Sequence, residues 1–176
     1  MIITVGGPPG SGTSTAAELV SQHLGMRVVS AGEMFRGMAR ERGLSLAELG
    51  ALAEAQWDVD HQLDERMVAV AEAHGDVVLE GRLIGLLLAR RGVEAFSVHL
   101  AADPQVRAGR IALREHKDPA EALREIQQRE RSEAVRYKDI YGIDILDTEP
   151  YDLVLDSSTM TARQVADAIL GALHRH

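Results

Sequence analysis

Short apolar runs alternate with longer amphipathic stretches from one end of the chain to the other, the order expected of a parallel sheet covered by crossover helices. Residues 2–5, 27–29, 77–79, 96–100 and 153–155 read as strands, each bounded by Gly, Asp or Ser. The predicted fold class is α/β. Helix starts are marked as clearly. Ser45 with Glu48, and Thr161 with Gln164, have capping-box spacing, while Asp103-Pro104 and Asp118-Pro119 place an N-cap residue before a proline at the first helical position.

Two intervals are longer than a crossover needs. Residues 30–76 read as helix throughout and predict a separate helical lobe, with Trp57 in its core. Residues 103–137 read as two helices broken at His116-Lys117, a hinge-like interruption. Residues 138–150 carry no regular pattern and receive no assignment. His174 and His176 fall in a C-terminal end expected to fray.

Composition narrows the picture. A chain of 176 residues that is 45% hydrophobic supports one core, so a single domain over 1–176 is expected. A net charge of −8 disfavours nucleic acid and anionic membranes as partners. There is no cysteine, which excludes disulfides and thiolate metal sites. The opening MIITVGG lacks the basic flank and apolar length of a signal peptide, and no later run has membrane-spanning length, so a cytoplasmic protein is expected. Only Lys117 and Lys138 of the 19 basic residues are lysines. Most arginines fall between Arg82 and Arg136, where their planar forks would suit phosphate oxygens if they share a cleft.

Directly after the first strand comes Gly7-Pro8-Pro9-Gly10-Ser11-Gly12-Thr13-Ser14, then Thr15 and an Ala-rich helical pattern. Such a turn aims backbone N–H groups and the positive end of a helix dipole at one small volume suited to a triphosphate. Ser14 occupies the hydroxyl position that would ligate Mg²⁺. Thr13 stands where a phosphate loop has lysine, and no lysine precedes Lys117. Either the loop is a degenerate phosphate site on a non-catalytic fold, or an arginine and the metal supply the missing charge. Arg107, Arg110 and Arg114 share a helical face leading into the break, and Arg110 is the first candidate for that cation.

With SAGEMFRGMARERG from Ser30, VVLEGRL from Val77, RERSEAVRYKDIYGIDILD from Arg129 and YDLVLDSS from Tyr151, the chain resembles the short, archaeal-type cytidylate kinases of the nucleoside monophosphate kinase group. A loop reading Gly-Thr followed by a hydroxyl residue is usual there. The resemblance implies a three-layer P-loop kinase fold with a five-stranded parallel sheet, a monophosphate-binding lobe near 30–76 and a lid near 107–137. It implies Mg²⁺-dependent transfer from ATP, bound at Gly7 to Thr15, to CMP or dCMP. Acceptors such as AMP, UMP or a shikimate-like acid stay open at this point.

The same resemblance implies site residues. Arg36, Arg82, Arg129 and Arg136 would hold the acceptor phosphate, Glu133 a ribose hydroxyl, and Ser30 or nearby backbone the nucleoside. Arg82 and Arg136, together with Arg110 proposed above from its helical face, would neutralise charge during transfer. Plainer readings stand beside these: Ser30 as an N-cap, Arg36 as a solvent arginine, Arg82 bridging only Glu80, and Arg129, Glu133 and Arg136 as a solvated helix face. Asp58, Asp60, His61 and Asp64 read as a lobe-organising helix face, not a metal site. A monomer is expected because lobes that close are hindered by tight assembly.

Overall fold

The computed structural model describes residues 1–73 and 75–175; His74 and His176 lie outside the described residues. Five parallel strands, β1 (Ile2–Gly6), β2 (Arg27–Ser30), β3 (Val77–Glu80), β4 (Phe96–Ala101) and β5 (Leu153–Asp156), form one sheet in the order β2-β3-β1-β4-β5. Each runs one residue beyond its predicted end. The helices are α1 (Thr13–Leu24), α2 (Ala31–Glu41), α3 (Leu46–Ala55), α4 (Asp58–Ala73), α5 (Ile84–Arg91), α6 (Pro104–Glu115), α7 (Pro119–Tyr141) and α8 (Ala162–Leu173).

Burial on both faces explains why the three inner strands, β1, β3 and β4, read as apolar runs. Ile3, Val5, Val78, Val98 and Leu100 pack against Ala17, Val20, Val165 and Ile169 of α1 and α8. Val77 and Leu79 face the other way, onto Met67 and Val68 of α4 and Ile84 and Leu88 of α5. The result is three layers with helices on both sides of the sheet.

Two satellite cores build the features around the cleft. Met38, Leu49, Ala53 and Val59 close the interior of the α2–α4 lobe. Ala108, Ile111, Ala112, Ala122 and Ile126 zip α6 onto α7. Between them the chain reverses at His116, whose left-handed φ of 54° ends α6. Trp57 corrects the sequence reading: it is 50% exposed, because it lies in the short turn joining α3 to α4 and misses the spacing that fills the lobe.

The stretch without an assignment is ordered. Helix α7 continues to Tyr141, Gly142 caps it, and Ile143 and Ile145 fold beneath Tyr137 against Leu83, Leu86 and Leu87. Among the described residues no helix is long and apolar enough to cross a membrane.

Candidate active site

The donor side begins where β1 ends. Gly12 precedes α1 with φ of 95°, a conformation that favours glycine, and no side-chain oxygen caps the helix. The first helical bond is Ala16 N–H to Gly12 O, 3.0 Å, so the amides of Thr13, Ser14 and Thr15 have no acceptor among the described residues. The other capped helices around the cleft differ: α2, α6 and α7 each receive a serine or aspartate oxygen at this place. Three uncapped amides at the positive end of a helix make an anion site.

Arginines brace the loop from outside. Arg107, nearly buried, donates to Ala102 O at 3.0 Å and Pro9 O at 3.2 Å and pairs with Glu130 at 2.7 Å. Arg110 donates to Gly10 O at 3.3 Å, Ser11 O at 3.4 Å, Ser157 Oγ at 3.0 Å and Ser157 O at 2.6 Å. Its charge therefore sits against the loop while its terminal nitrogens engage carbonyl and hydroxyl oxygens. Arg114 reaches the same neighbourhood but pairs with Glu115. Gly10 to Thr15, Arg110, Arg114, Ser157 and Met160 are among the residues lining a cavity of about 300 Å³ beside the opening of α1.

Thr13 turns its hydroxyl away from the lysine role. Thr13 Oγ1 donates to Glu80 Oε1 at 2.8 Å. Ser14 is exposed, and its hydroxyl has no hydrogen-bond partner among the described residues. No group of three or more His, Asp or Glu able to hold a metal occurs among the described residues. A free hydroxyl beside open amides fits a cation that arrives with phosphate oxygens, as Mg²⁺ does, better than a resident ion in a protein cage.

The residues predicted for the acceptor start from the ends of β2 and β3 and from α7. Ser30 ends β2, caps α2 through Glu33 N–H at 3.4 Å and donates to Glu80 Oε2 at 2.6 Å. Arg36, one turn on, is half exposed and bonded to the Glu33 carboxylate, apart from the other predicted arginines. Arg82 meets Glu133, not Glu80: Nε and Oε2 are 3.0 Å apart. They are misaligned as donor and acceptor, and neither atom has a hydrogen-bond partner. Glu133, its side chain only 4% exposed, also accepts from Arg129 Nε at 2.7 Å. The structure thus brings Arg82, Glu133 and Arg129 together.

Arg136 turns from that cluster to the lobe. It donates from Nε to Asp60 Oδ2 at 2.9 Å and from NH1 to Ser132 Oγ at 2.9 Å. Burial pushes the Asp60 carboxyl above its ordinary value, an effect the Arg136 charge opposes. Tyr141 donates to Asp64 Oδ2 at 2.7 Å, and burial still raises Asp64 to about 7. The acidic face of α4 therefore organises the junction with α7, as its spacing predicts. Glu80 is the residue that sequence reasoning passed over as functional; its one signal is an acid at the carboxyl end of a strand neighbouring β1.

Residues 2–159 match the cytidylate kinase-like family. The chain belongs to that family. It is 44% identical over 174 residues to a cytidylate kinase from Methanococcus maripaludis strain C7, spanning 98% of this chain and 97% of that protein. It is 43% identical over 180 residues to a cytidylate kinase from Methanopyrus kandleri, covering 98% and 93%. The fold recurs in a shikimate kinase from Bacteroides thetaiotaomicron, with TM-score 0.64 and 15% identity over 99% of this chain and 96% of that one. An uncharacterized protein from Eubacterium ventriosum reaches TM-score 0.76 at 18% identity over 100% and 99%. At such identities the structural likeness speaks for the P-loop kinase fold alone.

Proposed function

We propose that the protein is a cytidylate kinase that transfers the γ-phosphoryl group of ATP to CMP, giving ADP and CDP. One observation carries the chemistry: three amides without acceptors among the described residues open α1 after β1, and an arginine–carboxylate cluster is built around Arg82 at the end of the neighbouring strand β3. Ligands of open α/β sheets bind at those strand ends. The acceptor's identity rests on relatives at 40–44% identity over nearly the whole chain, each a cytidylate kinase.

In this reading residues Gly7 to Thr15 cradle the donor phosphates and the adenine enters the cavity beside Ser157 and Met160. Ser14 would hold Mg²⁺, which would supply neutralisation of the phosphate charge. Arg82 and Arg129 take the acceptor phosphate, and Glu133 keeps these two arginines aligned and accepts a ribose hydroxyl; Arg36 and Arg136, paired with Glu33 and Asp60, would have to leave those carboxylates to join them. The acceptor oxygen attacks the γ-phosphorus, a new P–O bond forms and the β–γ bridge breaks, so no general base or covalent intermediate is needed. The α2–α4 lobe and the α6–α7 hairpin exclude water from this transfer. The net charge of −8 speaks against nucleic acid and anionic membranes as partners, and lobes that must close over small substrates favour a monomer.

A coupled assay of ADP release across CMP, dCMP, UMP, AMP and shikimate tests the reading. Turnover is expected to be fastest with CMP or dCMP and to stop with EDTA. Faster turnover with AMP or UMP would overturn the acceptor. ATP binding with no CDP formed at saturating CMP and Mg²⁺ would favour a nucleotide-binding scaffold, the reading to which Thr13 in place of lysine points.

A further inference from the structure

The sheet order places β3 between β1, which carries the phosphate loop, and β2, which leads into the acceptor lobe. In register, Glu80 stands opposite Val5 on one side and Ser30 on the other. Its carboxylate uses both oxygens. Oε1 accepts from Thr13 Oγ1 at 2.8 Å and Oε2 from Ser30 Oγ at 2.6 Å. Thr13 is the first residue of α1 and Ser30 the N-cap of α2. One side chain therefore ties the first turn of α1 to the first turn of α2, through one hydroxyl hydrogen bond to each of its oxygens.

From this arrangement we infer that Thr13, Glu80 and Ser30 form a positioning link by which donor binding orders the acceptor lobe. The inference rests on the nucleotide-binding reading above. A phosphate seated on the amides of Thr13, Ser14 and Thr15 fixes the Thr13 backbone, and a β-branched side chain has few rotamers once its backbone is fixed. The hydroxyl then holds Glu80 in one place, Glu80 holds Ser30, and Ser30 holds the start of α2, the helix that carries Arg36. Lysine at position 13 has no hydroxyl and would leave the Glu80 end of this link without its partner. The replacement is thus a different function for the position: its hydroxyl connects two sites and its charge is provided elsewhere.

Hydrogen exchange on the full chain, with and without the Mg²⁺ complex of a non-hydrolysable imido analogue of ATP and with no CMP present, tests the link. In the wild type the analogue is expected to slow exchange in residues 7–15 and also in residues 31–36, the latter about fivefold or more, the lower range of site-to-site coupling. Thr13→Val keeps shape and backbone N–H but removes the donor; it should retain protection of residues 7–15 and lose that of 31–36. Thr13→Ser should restore it. Ser30→Ala cuts the other limb and should give the same loss, which keeps the test alive if Thr13→Val folds poorly. Equal slowing of residues 31–36 in wild type and in either cut variant, or a protected loop with no response in 31–36 of the wild type, overturns the link. No protection anywhere in a folded wild type overturns the nucleotide reading itself, and the link with it.

Discussion

Asp64 makes stability depend on pH in an unusual direction. Burial is the largest cause that raises its carboxyl from an ordinary 3.8 to about 7; the neighbouring Asp60 and Glu65 add to it, while the Tyr141 hydrogen bond and Arg136 oppose it. The folded chain therefore holds this proton more tightly than the unfolded chain does. The stability it contributes is fully present below about pH 4 and is lost as pH rises through about 7. A difference of roughly three units at about 1.4 kcal/mol each sets a ceiling near 4 kcal/mol. Partial solvent access and relaxation reduce this to about 2 kcal/mol. Asp64→Asn keeps an oxygen for Tyr141 Oη and cannot ionise. Its stability relative to wild type should grow by about 1–2 kcal/mol between pH 5 and pH 8, a relative Tm gain of about 3–6 °C for a chain of this size. Circular dichroism melts across that range measure it. A Tm difference that stays flat, or that shrinks as pH rises, would refute the burial argument. Tyr141→Phe removes a bond that favours the carboxylate and should move the loss of stability to higher pH.

Two further outcomes test the cleft. A Cβ on Gly81 would lie 2.8 Å from the Ala31 Cβ, a methyl that cannot rotate away. Gly81→Ala should therefore shift α2 and raise KM for CMP about tenfold, with KM for ATP within about twofold; an unchanged KM for CMP would show that α2 does not set acceptor affinity. Arg110→Gln removes the cation packed on the loop and should lower kcat about a hundredfold. If neither it nor Arg107→Gln nor Arg114→Gln lowers kcat substantially, arginine compensation for the absent lysine is wrong.

What could be read in the sequence was local. The strand starts, the Asp103 and Asp118 caps and the two capping boxes depend on residues a few positions apart, and all stand where the pattern puts them. The break at His116 was legible for the same reason. Partners across the fold were not. Proximity in sequence offers Glu80 to Arg82, but Glu80 is taken by the hydroxyls of Thr13 at the start of α1 and Ser30 at the end of β2, so Arg82 goes to Glu133 on α7. Arg129, Glu133 and Arg136 do share a helix face, yet only structure shows that face dividing between the cleft and Asp60. Trp57 misled because apolarity is a compositional signal, whereas its place in an interhelical turn is geometric.

Helix α7 ties the moving parts together. Its 23 residues span about 34 Å. Ala122 and Ile126 pack on α6, Ser132 bonds Glu54 and Arg136 bonds Asp60 of the acceptor lobe, and Tyr137 is set in the core beneath Leu83 and Leu86. A stiff rod held at Tyr137 moves least near that point. Glu133 lies one turn away, about 6 Å, whereas Pro119 lies about 27 Å away. A tip displacement of about 5 Å would therefore shift Glu133 by only about 1 Å, leaving the Arg82–Glu133–Arg129 cluster assembled. At the other end, Arg107 and Arg110 fasten α6 to the phosphate loop. With both helices anchored at their bases, opening must concentrate at the tip, where α6 ends in the left-handed His116 and Lys117 pairs with Glu115 and Glu125. Under the proposed function, Arg82 and Arg129 would then stay organised for the acceptor while the tip of the α6–α7 hairpin opens and closes over the donor.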